Sequence, residues 1–444
     1  MRIIVVGGGQ VGFGLAQALA TAHDVIIVDQ DPDTADRFEK LDVEFVLGGG
    51  TVAETLRQAG AGGADVFVAC TGLDEVNIVA CAMANQLGSP LTICFVTRED
   101  FLRLPEGLAQ FGINRVVWPE AQLADDIERI VSAPGAIDAE EFAGGAIRLL
   151  EYRLDARSPL TACPVAELHL PHGSLLVAVR RDDTFFIPHG DSRLAADDKV
   201  IVMGTPDAIA EVQRRVVRSN EGGRQEVVII GGGDVGFRLA ERLDRMPGIH
   251  LRIIERDPRR GEILAARLHR ALVLNADGTD VAVLESENIG RSDVLVSVID
   301  NDEKNLLASL LGRQLGVKRV ITRVSQLANL RLFERVGIDV ALSARGAAIA
   351  SVLHQIEGGA TSLLAVLEQG EGRILESEVP PRWVGHALGE LQRPGDSIVG
   401  AILRGGRAIV PRGGDRLQAG DRLLVFSTRA AADRVRDFFS APAR

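Results

Sequence analysis

Apolar and polar positions follow two rhythms along residues 1–130. Short runs that are apolar throughout, such as Ile3-Ile4-Val5-Val6 and Val66-Phe67-Val68-Ala69-Cys70, predict strands at 2–6, 24–28, 43–47, 65–70, 91–96 and 115–118. A strand apolar on both faces belongs to a sheet covered on both sides. Amphipathic stretches between them predict helices near 10–22, 33–40, 52–59, 75–87, 99–110 and 120–131. Strand and helix in alternation imply βαβ units around a parallel sheet. The polar, small-residue stretch Ser132 to Ala146, with Pro134, Gly135 and Gly144-Gly145, breaks the pattern and reads as a linker with room for some helix. Shorter β-like runs follow at 146–154, 175–180, 184–187 and 199–203, closed by an amphipathic helix over 207–216. That is the pattern of a small α+β domain. A second polar linker spans 217–225, and then the whole pattern restarts.

The first strand of each half runs into a glycine loop. Gly7-Gly8-Gly9-Gln10-Val11-Gly12 follows Ile3–Val6, and Gly231-Gly232-Gly233-Asp234-Val235-Gly236 follows Val227–Ile230. In a G-x-G-x-x-G turn the first glycine permits the tight bend and the second lets backbone approach a pyrophosphate. The third lets helix pack on strand. The helix N-terminus then offers unpaired N–H groups and a positive dipole end to phosphates. An acid is expected to close the next strand, where it accepts hydrogen bonds from ribose hydroxyls. Asp29 and Glu255 stand there. A carboxylate at that point repels a 2′-phosphate, which favours NAD or an adenine nucleotide over NADP. Arg256, Arg259 and Arg260 weaken that preference in the second copy.

The correspondence continues beyond the loops. Asp74-Glu75-Val76-Asn77 matches Asp302-Glu303-Lys304-Asn305, and Ile187-Pro188-His189-Gly190 answers Val410-Pro411-Arg412-Gly413. The offset stays near 224 residues (Gly7 against Gly231), so one half duplicates the other and the halves can pair about a pseudo-two-fold axis. The expected class is α/β: two Rossmann-like doubly wound parallel sheets, each followed by a small α+β domain. The expected domains are 1–131, 146–217, 225–345 and 361–439.

Composition narrows the function. The 444 residues carry a net charge of −12, which argues against nucleic acid as the main partner. Cys70, Cys81, Cys94 and Cys163 show no C-x-x-C spacing, so neither a zinc site nor a disulfide framework is indicated; Cys70 and Cys94 read as small core residues. No run long enough to cross a membrane and no secretory signal is expected, which points to the cytosol. None of the eight histidines occupies matching places in both halves, and His169 and His172 fall in a loop. A dehydrogenase needs an acid/base group beside the nicotinamide and a substrate lobe. The small domains are too short to form one. An NAD-dependent oxidoreductase is therefore the alternative, and a binding protein that is not an enzyme the preferred reading.

These features together resemble the RCK (or KTN) potassium-transport regulatory domains, and in their tandem order the TrkA family of cytosolic subunits of Trk-type potassium uptake systems. The most telling stretches are Thr71-Gly72-Leu73-Asp74-Glu75-Val76-Asn77 and Ile299-Asp300-Asn301-Asp302-Glu303-Lys304-Asn305, with the Pro-x-Gly turns of the small domains. The resemblance implies a nucleotide pocket in each half, filled by NAD(H) or by ATP or ADP. Gly7, Gly8, Gly9, Gln10 and Val11 would hold the pyrophosphate of the first, with Asp29 on the ribose and Thr51, Thr71 and Gly72 on the far side. The second would use Gly231, Gly232, Gly233, Asp234, Val235, Glu255, Asp277, Thr279, Ile299 and Asp300, with Arg323 reaching the phosphates. It further implies a ring, a homotetramer of the duplicated chain, on the inner face of the plasma membrane beneath a potassium channel or transporter subunit.

The two pockets are not expected to be equal. Phe95 stands where the second copy has Arg323, and Gly48-Gly49-Gly50-Thr51 replaces Asn275-Ala276-Asp277-Gly278-Thr279. The second half should keep the more complete site, with Arg98 a displaced substitute in the first. The apolar stripe Leu327, Leu330, Phe333 and Val336 is either core or an assembly face, and the small, apolar helix 346–356 is similar to the family's domain-pairing helices. The acids at 74–75 and 302–303 either open helices, where they complement the dipole, or bind a cation such as calcium.

Overall fold

The apolar runs become strands whose alternate residues enter separate cores. The computed structural model describes residues 1–20, 23–102, 107–155, 158–182, 184–216, 224–356, 361–367 and 371–440. In the first half β1 (Arg2–Val6), β2 (Asp24–Asp29), β3 (Glu44–Leu47), β4 (Val66–Ala69), β5 (Leu91–Phe95) and β6 (Arg115–Val117) form a parallel sheet in the order 3-2-1-4-5-6. Ile4, Val6, Ile26, Val28 and Phe67 enter one core, and Ile3, Val5, Val25, Ile27 and Val68 the other. This is the period-2 alternation of a sheet covered on both faces. Helices α1 (Gln10–Leu19), α2 (Ala53–Gln58), α3 (Asp74–Leu87), α4 (Glu99–Leu102) and α5 (Pro119–Val131) complete the unit.

The small domain that follows is an antiparallel sheet of β7 (Ala136–Phe142), β8 (Ile147–Arg153), β9 (Ser174–Arg181), β10 (Thr184–Phe186) and β11 (Lys199–Gly204), in the order 10-9-11-8-7, with helix α6 (Pro206–Val216). The stretch read as a linker, 132–146, thus holds an edge strand, β7, paired with β8. Its buried residues Ala136, Ala139 and Phe142 depart from simple alternation: the register shifts between Ala136 and Asp138, and Phe142 enters a different core from Ala136 and Ala139. The expected linker 217–225 lies outside the described residues up to 223.

The second half repeats the plan. β12 (Gln225–Ile230), β13 (Ile249–Glu255), β14 (Leu272–Asn275), β15 (Val294–Ser297), β16 (Arg319–Arg323) and β17 (Val340–Leu342) form a parallel sheet in the equivalent order. Its helices are α7 (Asp234–Leu243), α8 (Pro258–Arg267), α9 (Val281–Ser286), α10 (Asp302–Leu315), α11 (Leu330–Arg335) and α12 (Ala344–Ile356). An antiparallel sheet follows, from β18 (Thr361–Leu367), β19 (Gly372–Glu378), β20 (Ser397–Arg404), β21 (Arg407–Ile409) and β22 (Arg422–Thr428), with α13 (Ala432–Ser440). The two small domains share a core in which Val177, Ile201 and Met203 meet Ile374, Leu424 and Phe426.

The last helix of each parallel unit crosses to the other half. Ala348, Val352, Leu353 and Ile356 of α12 pack into the first-half core beside Ile3, Val5 and Leu15. Leu123, Ile127 and Ile130 of α5 pack into the core that contains Val227, Ile229 and Leu239. Three large aliphatic side chains buried from α12 are worth about 5–8 kcal/mol, so the halves form one body. The α12 contact is mainly apolar, with Arg345 donating to Gln10 at its start, whereas the α5 contact carries ion pairs. Arg242 meets Asp125 and, at 2.7 Å, Glu128, while Arg238 lies 3.4 Å above the Trp118 ring. Arg319, only 9% exposed, donates from Nη1 to the carbonyls of Ile130 and Ala133 at 3.1 and 3.3 Å. Burial lowers its guanidinium to about 10. Of the stripe at 327–336, Phe333 is core and Val336 is 42% exposed.

Candidate functional site

Each glycine loop has the backbone its motif requires. Gly7 and Gly231 adopt φ of 109° and 104°, open to glycine and strained for other residues. A Cβ on Gly12 or Gly236 would lie 1.9 Å from the carbonyl oxygen of Gly7 or Gly231. Helix meets strand too closely there for any side chain. Gly9 and Gly233 precede α1 and α7 in extended conformation with no side-chain cap, so the first-turn N–H groups point outward without intrahelical partners.

The strand-end acids brace the loops. Asp29 accepts from the Gly8 amide at 2.6 Å and the Asp31 amide at 2.9 Å. Glu255 does the same for Gly232 (2.6 Å) and Asp257 (2.7 Å). Each carboxylate oxygen keeps a further lone pair, so both remain able to accept a ribose hydroxyl.

The opposite wall is positioned by a buried asparagine in each half. Asn77 accepts from the amide and hydroxyl of Thr71 (2.8 and 2.7 Å) and donates to the carbonyls of Thr71 and Phe95 (both 3.1 Å). Asn305 repeats this on Ile299 and Arg323, with the Ser297 hydroxyl as added donor. Asp74 opens α3 and accepts from the amides of Thr97 and Arg98, and Asp302 opens α10 and accepts from Ser325. These acids start helices, as one of the two expectations had it. No cluster of three or more metal-ligating side chains occurs among the described residues.

A cavity of about 540 Å³ opens beside the first glycine loop, within the size range of small-molecule sites. Gly9, Gln10, Val11, Thr71 and Gly72 line it, as does Phe95. Its other wall comes from the second half: Asp300, Arg323, Ser325, Ser343 and Arg345. Thus Arg323, expected to serve the second pocket, lines the cavity of the first, where it pairs with Asp300 at 2.9 Å. Arg98 does not line it; the side chain turns to Glu75 (2.8 Å) and Asp100 (3.5 Å). Thr51 is exposed on the turn before α2 and also stands outside this lining. No described histidine lines the cavity. Cys70 does, with its thiol pushed up to about 12 by the packing around it and then by Asp29.

At the second loop, Asp234 occupies the first turn of α7 and faces Arg260 at 3.9 Å. Asp277 accepts from the hydroxyl (2.7 Å) and amide (2.9 Å) of Thr279, which hold its carboxyl below the usual range, and Arg256 stands 3.8 Å away. Val235 is buried under the loop and Gly233 lies beside the Arg260 guanidinium. Glu120, Arg345 and the two asparagines were not among the residues expected from the sequence. Only the asparagines carried a signal there, as the last member of the repeated Asp-Glu-x-Asn phrase.

Comparison with known proteins agrees with this architecture. The TrkA-N domain model matches residues 3–119 and 227–344, and the TrkA-C domain model matches 149–217 and 374–440. The chain is 39% identical to the Trk system potassium uptake protein TrkA homolog 1 of Methanosarcina mazei, over 99% of this chain and all of the relative. It is 32% identical to the Trk system potassium uptake protein TrkA of Halomonas elongata, over 96% and 95%. Among solved structures, the GsuK RCK domain superposes with a TM-score of 0.60 at 19% identity over 99% of this chain and 95% of that one. The GsuK channel bound to NAD gives 0.61 at 18%, over 99% and 79%; at such identities the likeness is one of fold. With both domain types matched twice and relatives aligned end to end, the chain belongs to the TrkA family.

Proposed function

We propose that the chain is the cytoplasmic regulatory subunit of a potassium uptake system, binding NAD(H) and adenine nucleotides at its two glycine loops and biasing a membrane channel or transporter by their occupancy. The observation that carries this is the pair of loops whose first-turn N–H groups, bracing acid and asparagine-held far wall are built alike in both halves. The relatives' names supply the potassium system, and the NAD-bound GsuK channel supplies a precedent for a dinucleotide on this fold. No described helix is long and apolar enough to cross a membrane. Binding rather than turnover is the output this reading assigns, in keeping with relatives named as potassium uptake proteins.

Assembly into a homotetrameric ring would place eight clefts on one gate. Moving a two-state equilibrium from 1:99 to 99:1 needs about 5.5 kcal/mol of differential binding. Divided over eight sites, that is about 0.7 kcal/mol per nucleotide, well within ordinary coupling energies. The test is titration of the full-length chain with NADH, ATP and ADP, followed by potassium uptake with the partner subunit present. Nucleotide binding at micromolar concentration and a nucleotide-dependent flux are expected. Turnover of an organic substrate with NADH would overturn the reading.

A further inference from the structure

The crossover from β2 to β3 and its counterpart from β13 to β14 hold the same place in the duplication, after Asp29 and Glu255, yet their charges are opposite. In the first half the crossover contains a 3₁₀ helix, Pro32–Arg37. Side chains three apart on such a helix stand one above the other. Asp33 and Asp36 form that pair, and Glu39 continues the series. All three are exposed and have no ion-pair partner among the described residues. Exposed Asp42 and Glu44 carry the acidic surface on to β3, the edge of its sheet, where Leu47 is 57% exposed. The cations of this segment are Lys40 and Arg37, and Arg37 lines the cavity.

In the second half the crossover is α8. Arg259, Ile263 and Arg267 recur every four residues and share one helix face, with Arg260 between them. Ile263 is 58% exposed. The Arg259 guanidinium has no ion-pair partner among the described residues. Arg260 stands 3.9 Å from Asp234, and Arg267 pairs with Glu241 at 3.0 Å while staying half exposed. The helix packs beside β14, again a sheet edge, where Leu272 is 52% exposed. On a chain of net charge −12, this is a basic stripe with an apolar centre.

We propose that the acidic crossover of one copy docks on the α8 stripe of a second copy. Two copies meeting through the same crossover would set like charges against each other. Meeting through unlike crossovers sets Asp33, Asp36 and Glu39 against Arg259, Arg260 and Arg267. The exposed Leu47, Ile263 and Leu272 bring apolar surface to the same contact, and both edge strands present unpaired backbone groups there. The contact is heterologous: each copy keeps one acidic and one basic crossover free, so association runs head to tail. Complementary exposed charges choose the partner and speed encounter, and salt screens them. No nucleotide takes part, so the contact stands independently of the function proposed above.

The experiment is light scattering of the full-length chain in low and high salt. At about 0.01 M, charges act over about 30 Å, and at about 1 M over about 3 Å. The wild type should have the larger mass in low salt. Asp33→Lys with Asp36→Lys and Glu39→Lys gives a chain with two basic crossovers. Arg259→Glu with Arg267→Glu gives one with two acidic crossovers. These positions are exposed, so the urea midpoint should stay near the wild-type value. In low salt each variant alone should show the mass that the wild type has in high salt, its self-association weakened about tenfold or more. Mixed in equal amounts, the variants should associate again, because one brings the native acidic crossover and the other the native basic stripe. A wild-type mass indifferent to salt, variants of wild-type mass, or a mixture that stays apart would overturn the head-to-tail contact.

Discussion

Replacing Gly9 by leucine separates binding from folding. Gly9 has φ −67° and ψ −164°, a conformation any L-residue adopts, and a Cβ there meets nothing within 4 Å. The side chain would project into the cavity that Gly9 lines. Stability should change by no more than about 0.5 kcal/mol, as for an unobstructed surface position. A phosphate displaced from the first-turn amides loses at least two hydrogen bonds to a charged group, at about 1.5–3 kcal/mol each. The first cleft should therefore lose about 100-fold or more in affinity. In a calorimetric titration the stoichiometry should fall by one site per chain, while the urea midpoint stays put. Gly12→Ala is the contrasting change: its Cβ would lie 1.9 Å from the Gly7 carbonyl oxygen, and the shifted backbone should cost about 4 kcal/mol or more. A folded Gly9→Leu chain with full stoichiometry and affinity would refute the placement of the ligand on this loop.

Further outcomes follow from the supporting structure. Asn77→Leu removes four hydrogen bonds and strands the Thr71 amide and Phe95 carbonyl, so urea unfolding should show a loss of about 2–5 kcal/mol. Asp198 and Asp421, each 1% exposed, accept paired bonds from Arg181 and Arg404 at identical distances of 2.8 and 2.7 Å. Asp198→Asn and Asp421→Asn should each cost about 1–3 kcal/mol at pH 7, since the arginine partners stay partly exposed. Burial works against ionisation at both aspartates, yet the arginine and backbone hydrogen bonds leave their carboxyls below the usual range. This stability is therefore present above the ordinary aspartate value and lost as pH falls through the lowered one, and thermal melts at pH 7 and pH 3 should show the mutational cost shrinking in acid. Burial, with Asp138 nearby, lifts Glu140 to about 8 and Asp126 to about 7 despite Arg129. A raised acid in the folded state makes stability fall as pH climbs from about 4.5 toward 8, so Glu140→Gln should flatten that decline in melts across pH 5–8.

What could be read from the residue order was what is local. The doubly apolar strands, the glycine loops and the acids closing β2 and β13 depend on neighbours in sequence, and the structure forms them where expected. β7 escaped because it is an edge strand with Asp138, Glu140 and Glu141 on it, and its buried residues do not alternate: a register shift follows Ala136, and Phe142 enters a different core from Ala139. Period-2 reasoning cannot see such a strand. The stripe at 327–336 divides for a similar reason: a single turn of helix buries Phe333 and leaves Leu332 and Val336 outside. The wall of the first cavity was invisible for a different cause. Arg345 meets Gln10 across 335 residues of chain, and only the crossing of α5 and α12 brings them together. The missing arginine at Phe95 therefore looked like a defect of the first half, whereas Arg323 and Arg345, which line that loop's cavity, come from the second.

The most direct test is an experimental density map of the full-length chain saturated with NADH and ATP. Density is expected in both halves, with phosphates on the first-turn amides of α1 and α7 and a ribose beside Asp29 and Glu255, the ligands chemically unchanged. Maps with both glycine loops empty at saturation, or with nucleotide bound elsewhere, would contradict the account.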